Sequence, residues 1–457
     1  MNMIAGEDGR HPNLPSKRAV ALGSTAAAGL TAAILVCTSA RSQEAPGAQG
    51  QPPAGSANQS RAQESQGLVG YDRDGNLLSV DDRGITFATP NKTFQLRIGG
   101  RVELDFGTAR VRGPRFGLPF NDSFEPRRTF FESYFTFYDS VELALQYDLS
   151  DDTRPINDLV LAYRGLNPFV FSIGSMKEPF SLDQLTSDTN LLFTERSLAD
   201  PLVPGRNLGF AVGAHGDAWT LTGGVFGGNA NTGVGDNGVS GTVRAIYVPI
   251  HTKDEVAQIG VAGSFRSLGS SGSVSINNRP ESFLFTTALV NTGTLRSAET
   301  IGRVGVEAAY QTGPLRFQGE YILTDVGRSG GQPTGLFHGG YVEAGYTLNG
   351  TGRTYTLAPK YGTGYSTFGA PPIPDALRIS KGGPGVFELG SRVSFLDLTN
   401  RGIAGGKQVD YGFALNWYPE KNIKVAANYI RAHAYDSPAV RRDVDADIFV
   451  GRFQLYW

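Results

Sequence analysis

The stretch "FQLRIGGRVELDF", residues 94–106, alternates between apolar and polar side chains, with one gap at Gly100. The apolar positions are Phe94, Leu96, Ile98, Val102, Leu104 and Phe106. The polar positions between them are Gln95, Arg97, Arg101, Glu103 and Asp105. Because successive side chains of a β-strand point to opposite faces, this pattern predicts a strand with one apolar face and one charged face. Such a strand fits the surface of a soluble sandwich, and it fits equally the wall of a barrel with lipid outside and water inside.

Alternation of this kind recurs along most of the chain, beginning near residue 82. About seventeen segments show it, most of them are followed by glycine, asparagine, aspartate or proline, and no long helical periodicity appears. The 374 residues from Gly84 to Trp457 would give sixteen strands about 23 residues each, which accommodates a membrane-crossing strand of roughly ten residues with its turn and loop. The chain length therefore fits about 16 strands, one fewer than the number of alternating segments.

The segment "DIFVGRFQLYW", residues 447–457, distinguishes the two architectures. Phe449, Phe453, Leu455 and Trp457 share one face. In a soluble sheet this face would leave an apolar edge strand open to aggregation, whereas in a closed barrel the last strand pairs with the first. Beyond residue 40 no run approaches eighteen apolar residues, and only helices and closed barrels satisfy their backbones in lipid. The sequence therefore predicts an all-β fold, a transmembrane antiparallel β-barrel with the charged face of residues 94–106 turned to the lumen.

Residues 1–40 have the features of a secretory signal peptide: a basic start, an apolar run and a small-residue cleavage site. Cys37 in this segment is the only cysteine of the chain, and a lipoprotein signal at this residue is the less favoured alternative. The region that follows begins with few large apolar side chains, so residues 41–81 are predicted to be a flexible periplasmic segment. The barrel domain is expected over residues 82–457.

The composition excludes several classes of function. Lysine and arginine total 41 against 43 aspartate and glutamate, so the chain gives no signal for binding nucleic acid. Arginine outnumbers lysine 32 to 9, and the guanidinium group suits carboxylate and phosphate, although high-GC coding would produce the same excess. The histidines are far apart, and neither a G-x-S-x-G nor a P-loop motif appears. We predict no enzymatic activity, no metal site and no cofactor.

Residues 174–209, "GSMKEPFSLDQLTSDTNLLFTERSLADPLVPGRNLG", break the alternation. Irregular segments of this length are usually functional. In a wide barrel such a segment can fold inward and narrow the lumen, where charged side chains act through little water and select among ions. The sequence thus predicts an inward-folded constriction loop.

This segment resembles the corresponding part of the phosphate-selective porin O and P family. The resemblance extends to residues 94–106 and to residues 387–432, and so frames nearly the whole chain after residue 40. It implies a sixteen-stranded barrel of the bacterial outer membrane, usually trimeric, in which arginine and lysine side chains guide anions to a constriction. Because the alternating segments outnumber these sixteen strands by about one, the segment around residues 353–359 is interpreted as a loop. The implied partners are small anions such as phosphate or polyphosphate, outer-membrane lipid and further copies of the chain.

The resemblance also nominates residues for the constriction. Family members place an arginine pair where this chain has Arg127 and Arg128, and strand parity puts Arg128 in the lumen, with Arg127 following if the strand bulges. Together with the lumenal face of residues 94–106, the pore-lining or anion-binding candidates are Arg97, Arg101, Arg128, Lys177, Arg196 and Arg206. For each of them the competing interpretation is a structural ion pair, and the ready partners in the loop are Glu178, Glu195 and Asp200.

An outer-membrane porin for passive diffusion of small hydrophilic solutes, with a preference for anions, is therefore the first predicted function. The alternative is a structural or surface-binding outer-membrane barrel that carries no significant transport. Ion current across a planar bilayer distinguishes the two, because an open lumen conducts and a closed one does not.

Overall fold

The computed structural model describes residues 68–71, 75–81, 84–112, 123–232, 238–269, 272–359 and 361–457. The predicted signal peptide, residues 1–40, lies outside these residues, as does most of the segment 41–81. No helix in the described ranges is long and apolar enough to span a membrane.

Sixteen antiparallel strands form the wall of a closed barrel. They are β1 Phe94–Arg112, β2 Ser123–Phe137, β3 Val141–Asp148, β4 Ile156–Leu166, β5 Phe169–Lys177, β6 Arg206–His215, β7 Trp219–Phe226, β8 Val239–His251, β9 Glu255–Ser267, β10 Ala298–Thr312, β11 Leu315–Arg328, β12 Gly335–Thr347, β13 Val386–Asn400, β14 Ile403–Glu420, β15 Ile423–Ser437 and β16 Arg442–Tyr456. Each strand pairs with the next, and β16 pairs with β1 from Asp445 opposite Arg112 to Tyr456 opposite Arg101. The predicted fold class and strand number are confirmed.

The glycine gap in residues 94–106 lies where the ring closes. Gly100 and Trp457 exchange two main-chain hydrogen bonds, each 3.0 Å between nitrogen and oxygen. A Cβ atom at Gly100 would lie 2.7 Å from the Phe130 carbonyl oxygen and 2.9 Å from the Trp457 ring. A larger side chain would push the aromatic end of the chain away from β1, so glycine is required at this close approach.

The two faces of the wall follow the predicted parity. Arg101, Glu103 and Asp105 of β1 are buried inside the barrel, whereas Phe106 is 46% exposed on the outer surface. At the end of the barrel with the short turns, the exposed outward aromatic side chains include Tyr163, Phe169, Trp219, Tyr346 and Trp457. An apolar outer wall bordered by aromatic residues is the surface that a membrane barrel presents to lipid.

Three further strands, Leu68–Tyr71, Leu77–Asp81 and Gly84–Ala88, form an antiparallel meander before β1. The last of them pairs with residues 95–98 of β1, beyond the point where β16 ends. Two of these strands lie within residues 41–81, which the sequence predicted to be a flexible segment. The flexibility of that segment stays a prediction. Their main-chain groups find partners because β1 extends past β16 and offers a free edge.

The remaining elements are short and lie in the connections. Small antiparallel pairs are Ser273–Val274 with Leu295–Arg296, Asn277–Asn278 with Val290–Asn291, and Tyr355–Thr356 with Thr367–Phe368. In the described ranges, the α-helix α1 spans Leu182–Leu185, and 3-10 turns span Asp188–Asn190, Asp200–Leu202, Asp375–Leu377 and Ile379–Lys381. The segment around residues 353–359 is outside the barrel wall, as predicted.

Three connections fold into the barrel. We name them the constriction loop (residues 178–205, between β5 and β6), the upper loop (residues 268–297, between β9 and β10) and the lower loop (residues 348–385, between β12 and β13). The first two enter from the end with the long connections, and the lower loop enters from the end with the short turns. The constriction loop folds inward, as the sequence predicted.

Donors from the wall hold the main chain of the constriction loop. Three side chains of the wall each donate a hydrogen bond to a carbonyl oxygen of this loop: Lys424 to Leu191 (2.6 Å), Arg303 to Leu202 (2.8 Å) and Asn416 to Leu192 (2.8 Å). Phe180 and Leu198 of the same loop are fully buried in a cluster with apolar residues of β11–β13. A buried main chain that has no neighbouring strand requires such donors.

The upper loop braces the constriction loop from the end with the long connections. Its Glu281 accepts a hydrogen bond from the Leu198 amide at 3.0 Å and pairs with Arg392 of β13 at 2.5 Å. Its Phe285 and Leu289 pack on apolar residues of β15 and β16. The loop is thereby joined both to the wall and to the constriction loop.

The lower loop braces the constriction loop from the opposite end. Its Arg353 pairs with Glu388 of β13 at 2.6 Å and donates to the Asn190 carbonyl oxygen. Its Tyr365 is fully buried against the inward faces of β4 and β5. The lower loop therefore crosses the lumen from β13 to the far wall.

Lys424→Ala removes a donor from the buried Leu191 carbonyl oxygen, so we expect a less stable barrel. An unsatisfied buried carbonyl costs about 1–3 kcal/mol, which should lower the temperature at which the folded barrel converts to the unfolded band in detergent electrophoresis. Lys253→Ala, in an exposed turn, is the control and should melt like the unaltered chain. Equal melting of the two variants would show that the Lys424 contact contributes nothing to stability.

Candidate functional site

A cavity of about 260 Å³ lies inside the barrel between the constriction loop, the lower loop and strands β1 and β3–β6. The charged residues that line it are Arg101, Lys177, Arg206, Asp158 and Asp188. Its uncharged lining includes Gln146, Ser187, Asn190, Tyr361 and Thr363. The described part of the chain therefore surrounds this space with cations, carboxylates and hydrogen-bonding groups together.

Arg101 of β1 directs its guanidinium group into the barrel. Its Nη2 atom lies 2.8 Å from Glu132 Oε1, and the guanidinium covers the Phe130 ring at 4.4 Å from the ring centre. Its Nη1 atom is buried, has no hydrogen-bond partner among the described residues, and lies 3.9 Å from Asp188 Oδ2. Glu132 therefore holds one side of the Arg101 guanidinium group, and the Nη1 donor on the other side is unused.

The arginine pair on β2 reaches the lumen through a β-bulge. Glu103 of β1 faces Arg128, but the register then skips Arg127. Strand parity allowed both arginines to reach the lumen only if the strand had a bulge, and this bulge is present. Both guanidinium groups contact lumenal carboxylates. Arg128 Nη1 lies 2.7 Å from Glu103 Oε2, and Arg127 forms hydrogen bonds of 2.7 and 3.0 Å to Glu195.

Asp188 of the constriction loop is the point where three guanidinium groups meet. Its carboxylate lies 2.6 Å from Arg196 Nη2, 3.5 Å from Arg128 Nε and 3.9 Å from Arg101 Nη1. Burial by itself would raise the pKa of Asp188, but Arg128 and Arg196 outweigh burial and hold this pKa well below its ordinary value. The carboxylate is therefore ionised among the three cations.

Lys177 and Arg206 stand at the ends of β5 and β6, where the constriction loop leaves and rejoins the wall. Lys177 Nζ donates to the main-chain oxygens of Gln184 at 2.5 Å and Thr186 at 3.5 Å. Arg206 Nε lies 2.9 Å from Asp158 Oδ1. Among the described residues that line the cavity, Lys177 is the cation without a direct carboxylate partner.

The other two candidates lie beside the cavity. Arg196 belongs to the constriction loop and, besides its contact with Asp188, donates to the main-chain oxygen of Thr186 at 2.9 Å. Arg97 lies toward the short-turn end of β1, where its guanidinium covers the Tyr134 ring at 4.2 Å from the ring centre. Arg97 is therefore separated from the place where the other cations converge.

The structure places the six predicted residues in three groups. Arg101, Lys177 and Arg206 line the cavity, Arg128 and Arg196 approach it through Asp188, and Arg97 lies apart. Of the expected loop partners, Glu195 pairs with β2, Asp200 lies 4.0 Å from Arg196, and Glu178 pairs instead with Arg266 of β9 at 2.9 Å. Structural pairing is thus present, and anion binding by the six candidates stays a prediction.

The sequence analysis missed Arg452 of β16. Its guanidinium forms ion pairs with Asp105 at 2.6 Å and with Glu195 at 2.8 Å. The alternation of residues 447–457 places Arg452 on the face opposite Phe453, and this signal could have identified it as lumenal. The lower loop offered no such signal, because no alternation marks the residues that contact the lumen.

The donors that the cavity offers to a solute are few but strong. Guanidinium and ammonium groups donate charge-assisted hydrogen bonds to oxyanions. In a narrow space with little water these charges act more strongly than they would on an open surface. Among the described residues no group of three or more His, Cys, Asp or Glu side chains is arranged to hold a metal ion. The arrangement therefore suits a small oxyanion.

Comparison with known proteins identifies the family of the chain. The family model described as phosphate-selective porin O and P matches residues 96–457. Porin O of Pseudomonas aeruginosa is 24% identical over 410 residues, which cover 81% of this chain and 90% of that protein. An uncharacterized protein of Caulobacter vibrioides is 28% identical over 368 residues, which cover 75% of this chain and 69% of that protein.

Among solved structures, an anion-selective porin from Comamonas acidovorans has a TM-score of 0.49 and 9% sequence identity, covering 80% of this chain and all of that one. Similarity at this level carries no weight in the assignment, which rests on the family model and the sequence relatives. The family match spans most of the chain, including β1 from residue 96 and all of the other fifteen strands of the closed barrel. The chain therefore belongs to the phosphate-selective porin O and P family and is a porin of the bacterial outer membrane.

Proposed function

We propose that the chain forms a passive pore that prefers anions and admits small oxyanions such as phosphate. The observation that carries this proposal is the cavity in which Arg101, Lys177 and Arg206 meet between the constriction and lower loops. The family description, phosphate-selective porin O and P, supports the same solute class. Diffusion alone drives the transport, and the proposal assigns the chain no catalytic step and no cofactor.

The preference for anions follows from which charged groups in the cavity still have a hydrogen-bond donor or acceptor without a partner. Glu132 holds one edge of the Arg101 guanidinium, and the Nη1 atom at the other edge has no hydrogen-bond partner among the described residues. Lys177 donates to main-chain oxygens and has no direct carboxylate partner among the described residues that line the cavity. The carboxylates of Asp158 and Asp188, which would attract a cation, already contact arginines. An entering anion therefore meets unused donors, whereas an entering cation meets acceptors that are in use.

A barrel without significant transport is the second candidate. Three loops occupy the lumen, and the lower loop reaches the wall opposite its origin through Tyr365. A lumen filled in this way could serve only to position the long surface loops. The two candidates differ in one measurable property, which is ion conduction.

We further propose that the chain assembles as a homotrimer around the wall formed by β3–β7. These strands have 8 to 11 residues, whereas the other wall strands have 13 to 19. A tilted strand of eight residues rises roughly 20 Å, which is less than the apolar band of about 25 Å. The exposed outward side chains of the wall formed by β3–β7 are apolar and include Leu159, Leu161, Ile173, Leu208 and Phe210. A further copy covers such a short apolar wall better than lipid does, and a closed ring of copies leaves none of these walls uncovered.

Recordings across a planar bilayer test the pore directly. We expect stepwise ion current, a reversal potential in a potassium chloride gradient that shows anion preference, and block of the chloride current by inorganic phosphate. Barrels that insert yet produce no current steps would contradict the pore and favour the structural alternative. Current steps without anion preference would remove phosphate from the proposal.

Lys177→Gln should raise the phosphate concentration that halves the chloride current about tenfold, which corresponds to about 1.4 kcal/mol. The substitution removes an amine that has no carboxylate partner among the described cavity residues, while the glutamine amide can still donate to a main-chain oxygen. Lys253→Gln, the same change in an exposed turn, should leave the half-blocking concentration unaltered. If both variants match the unaltered chain, Lys177 takes no part in anion binding.

Single cysteines test the position of the subunit contact, because Cys37 in the predicted signal peptide is the only cysteine of the chain. Leu161→Cys on β4 and Val306→Cys on β10 each place a thiol on the outward face of the wall. We expect a bifunctional thiol reagent to join copies of the first variant in native membranes and to leave the second monomeric in denaturing electrophoresis. Joining of the second variant alone would place the contact on the taller wall.

A further inference from the structure

Asp188 occupies the position that a bound anion would take in the candidate site. Three guanidinium groups converge on its carboxylate, from Arg196 at 2.6 Å, Arg128 at 3.5 Å and Arg101 at 3.9 Å. The carboxylate is only 8% exposed and lines the same cavity as Lys177. A carboxylate and a phosphate oxygen offer arginine the same charge and the same acceptor geometry. The loop therefore brings its own anion to the cations of the wall.

We propose that Asp188 is a tethered competitor that sets the affinity of the pore for oxyanions. This inference rests on the proposed anion pathway and adds the residue that weakens binding within it. Because Asp188 is attached to the chain, its effective concentration at the three arginines is high and constant. A permeating oxyanion must share or displace this carboxylate, so it binds weakly and leaves quickly. Conduction requires such a balance, since a solute that is held tightly blocks the pore that it enters.

The three arginines keep their places without Asp188. Arg101 is held by Glu132 at 2.8 Å, and Arg128 is held by Glu103 at 2.7 Å. Arg196 donates to main-chain oxygens within its own loop, which belong to Asp183 (3.0 Å), Gln184 (3.3 Å) and Thr186 (2.9 Å). Neutralising Asp188 would therefore release donors toward the cavity rather than release the arginine side chains.

The main chain at Asp188 is also fixed by contacts that its side chain does not make. Asp188 begins the 3-10 turn Asp188–Asn190. The Asn190 carbonyl oxygen accepts a hydrogen bond from Arg353 of the lower loop, and the Thr189 carbonyl oxygen accepts one from Gln454 of β16 at 3.3 Å. A substitution confined to the Asp188 side chain leaves these contacts in place, so its effect on anion binding can be measured in an assembled barrel.

One donor beside Asp188 is unused in the unaltered protein. Arg101 Nη1 is buried, has no hydrogen-bond partner within the described ranges, and points toward Asp188 across 3.9 Å. This distance is longer than a hydrogen bond, so Asp188 interacts more weakly with Arg101 than with Arg128 or Arg196. An oxyanion oxygen that enters beside Asp188 can accept from Arg101 first, and the other two arginines become accessible as the carboxylate gives way.

The test compares Asp188→Asn with Asp188→Glu in planar bilayers, using inorganic phosphate to block the chloride current. We expect Asp188→Asn to lower the half-blocking phosphate concentration at least about tenfold, because it frees charged donors at nearly constant side-chain volume. Asp188→Glu keeps the tethered charge and should return the value to within about twofold of the unaltered chain. Asp254→Asn, the same charge change in an exposed turn, should match the unaltered chain.

The outcomes separate this inference from the proposed function. A phosphate block that is unchanged or weaker in Asp188→Asn, in a barrel that still migrates as a folded species, overturns the inference and leaves the pore standing. An unaltered chain that phosphate does not block overturns the anion pathway itself. If Asp188→Asn does not assemble, Asp188→Ser is scored in the same way. Failure of both variants to assemble would show that Asp188 is a structural ion-pair partner and would overturn the inference.

Discussion

The whole lumen depends on wall donors that satisfy the buried main chain of the constriction loop. A segment that crosses a lumen has no neighbouring strand, so its carbonyl oxygens need partners from elsewhere. Lys424 on β15, Asn416 on β14 and Arg303 on β10 supply them from different sides of the ring. These donors surround the loop because the ring is closed, and the loop narrows the lumen inside it. Some cations that resemble a path for anions are therefore supports of the loop.

The same constraint sets the charge balance inside the barrel. A buried guanidinium group is costly unless it is paired, and Arg244, Arg392 and Arg452 each lie within 2.6 Å of a carboxylate oxygen. Among the described residues that line the cavity, Arg101 keeps one guanidinium nitrogen without a hydrogen-bond partner, and Lys177 has no direct carboxylate partner. The proposed anion preference rests on these two donors, and the proposed role of Asp188 follows because they are few.

The outer surface shows where the lipid ends. Along β15 and β16 the outward side chains change from Tyr429 and Phe449 to charged residues, among which Arg431 pairs with Asp447 at 3.0 Å. The inward side chains change in the opposite sense, since Val444 and its neighbours are buried against apolar residues of the upper loop. At this end the wall has charges outside and an apolar core inside, as a soluble protein has. The strands therefore continue beyond the membrane into water.

Strand alternation was sufficient to predict a barrel and the lumenal face of β1, because side-chain direction in a strand follows from the local geometry of the chain. The alternating segments numbered about seventeen, and the resemblance to the family reduced this count to the sixteen strands of the wall. Alternation could not reveal the bulge that turns Arg127 inward, because register depends on the neighbouring strand. It could not show that Asp105 meets Arg452, 347 positions along the chain, or that residues 348–385 enter the lumen. Ring closure creates those contacts, since it alone brings distant strands and three loops into one enclosed space.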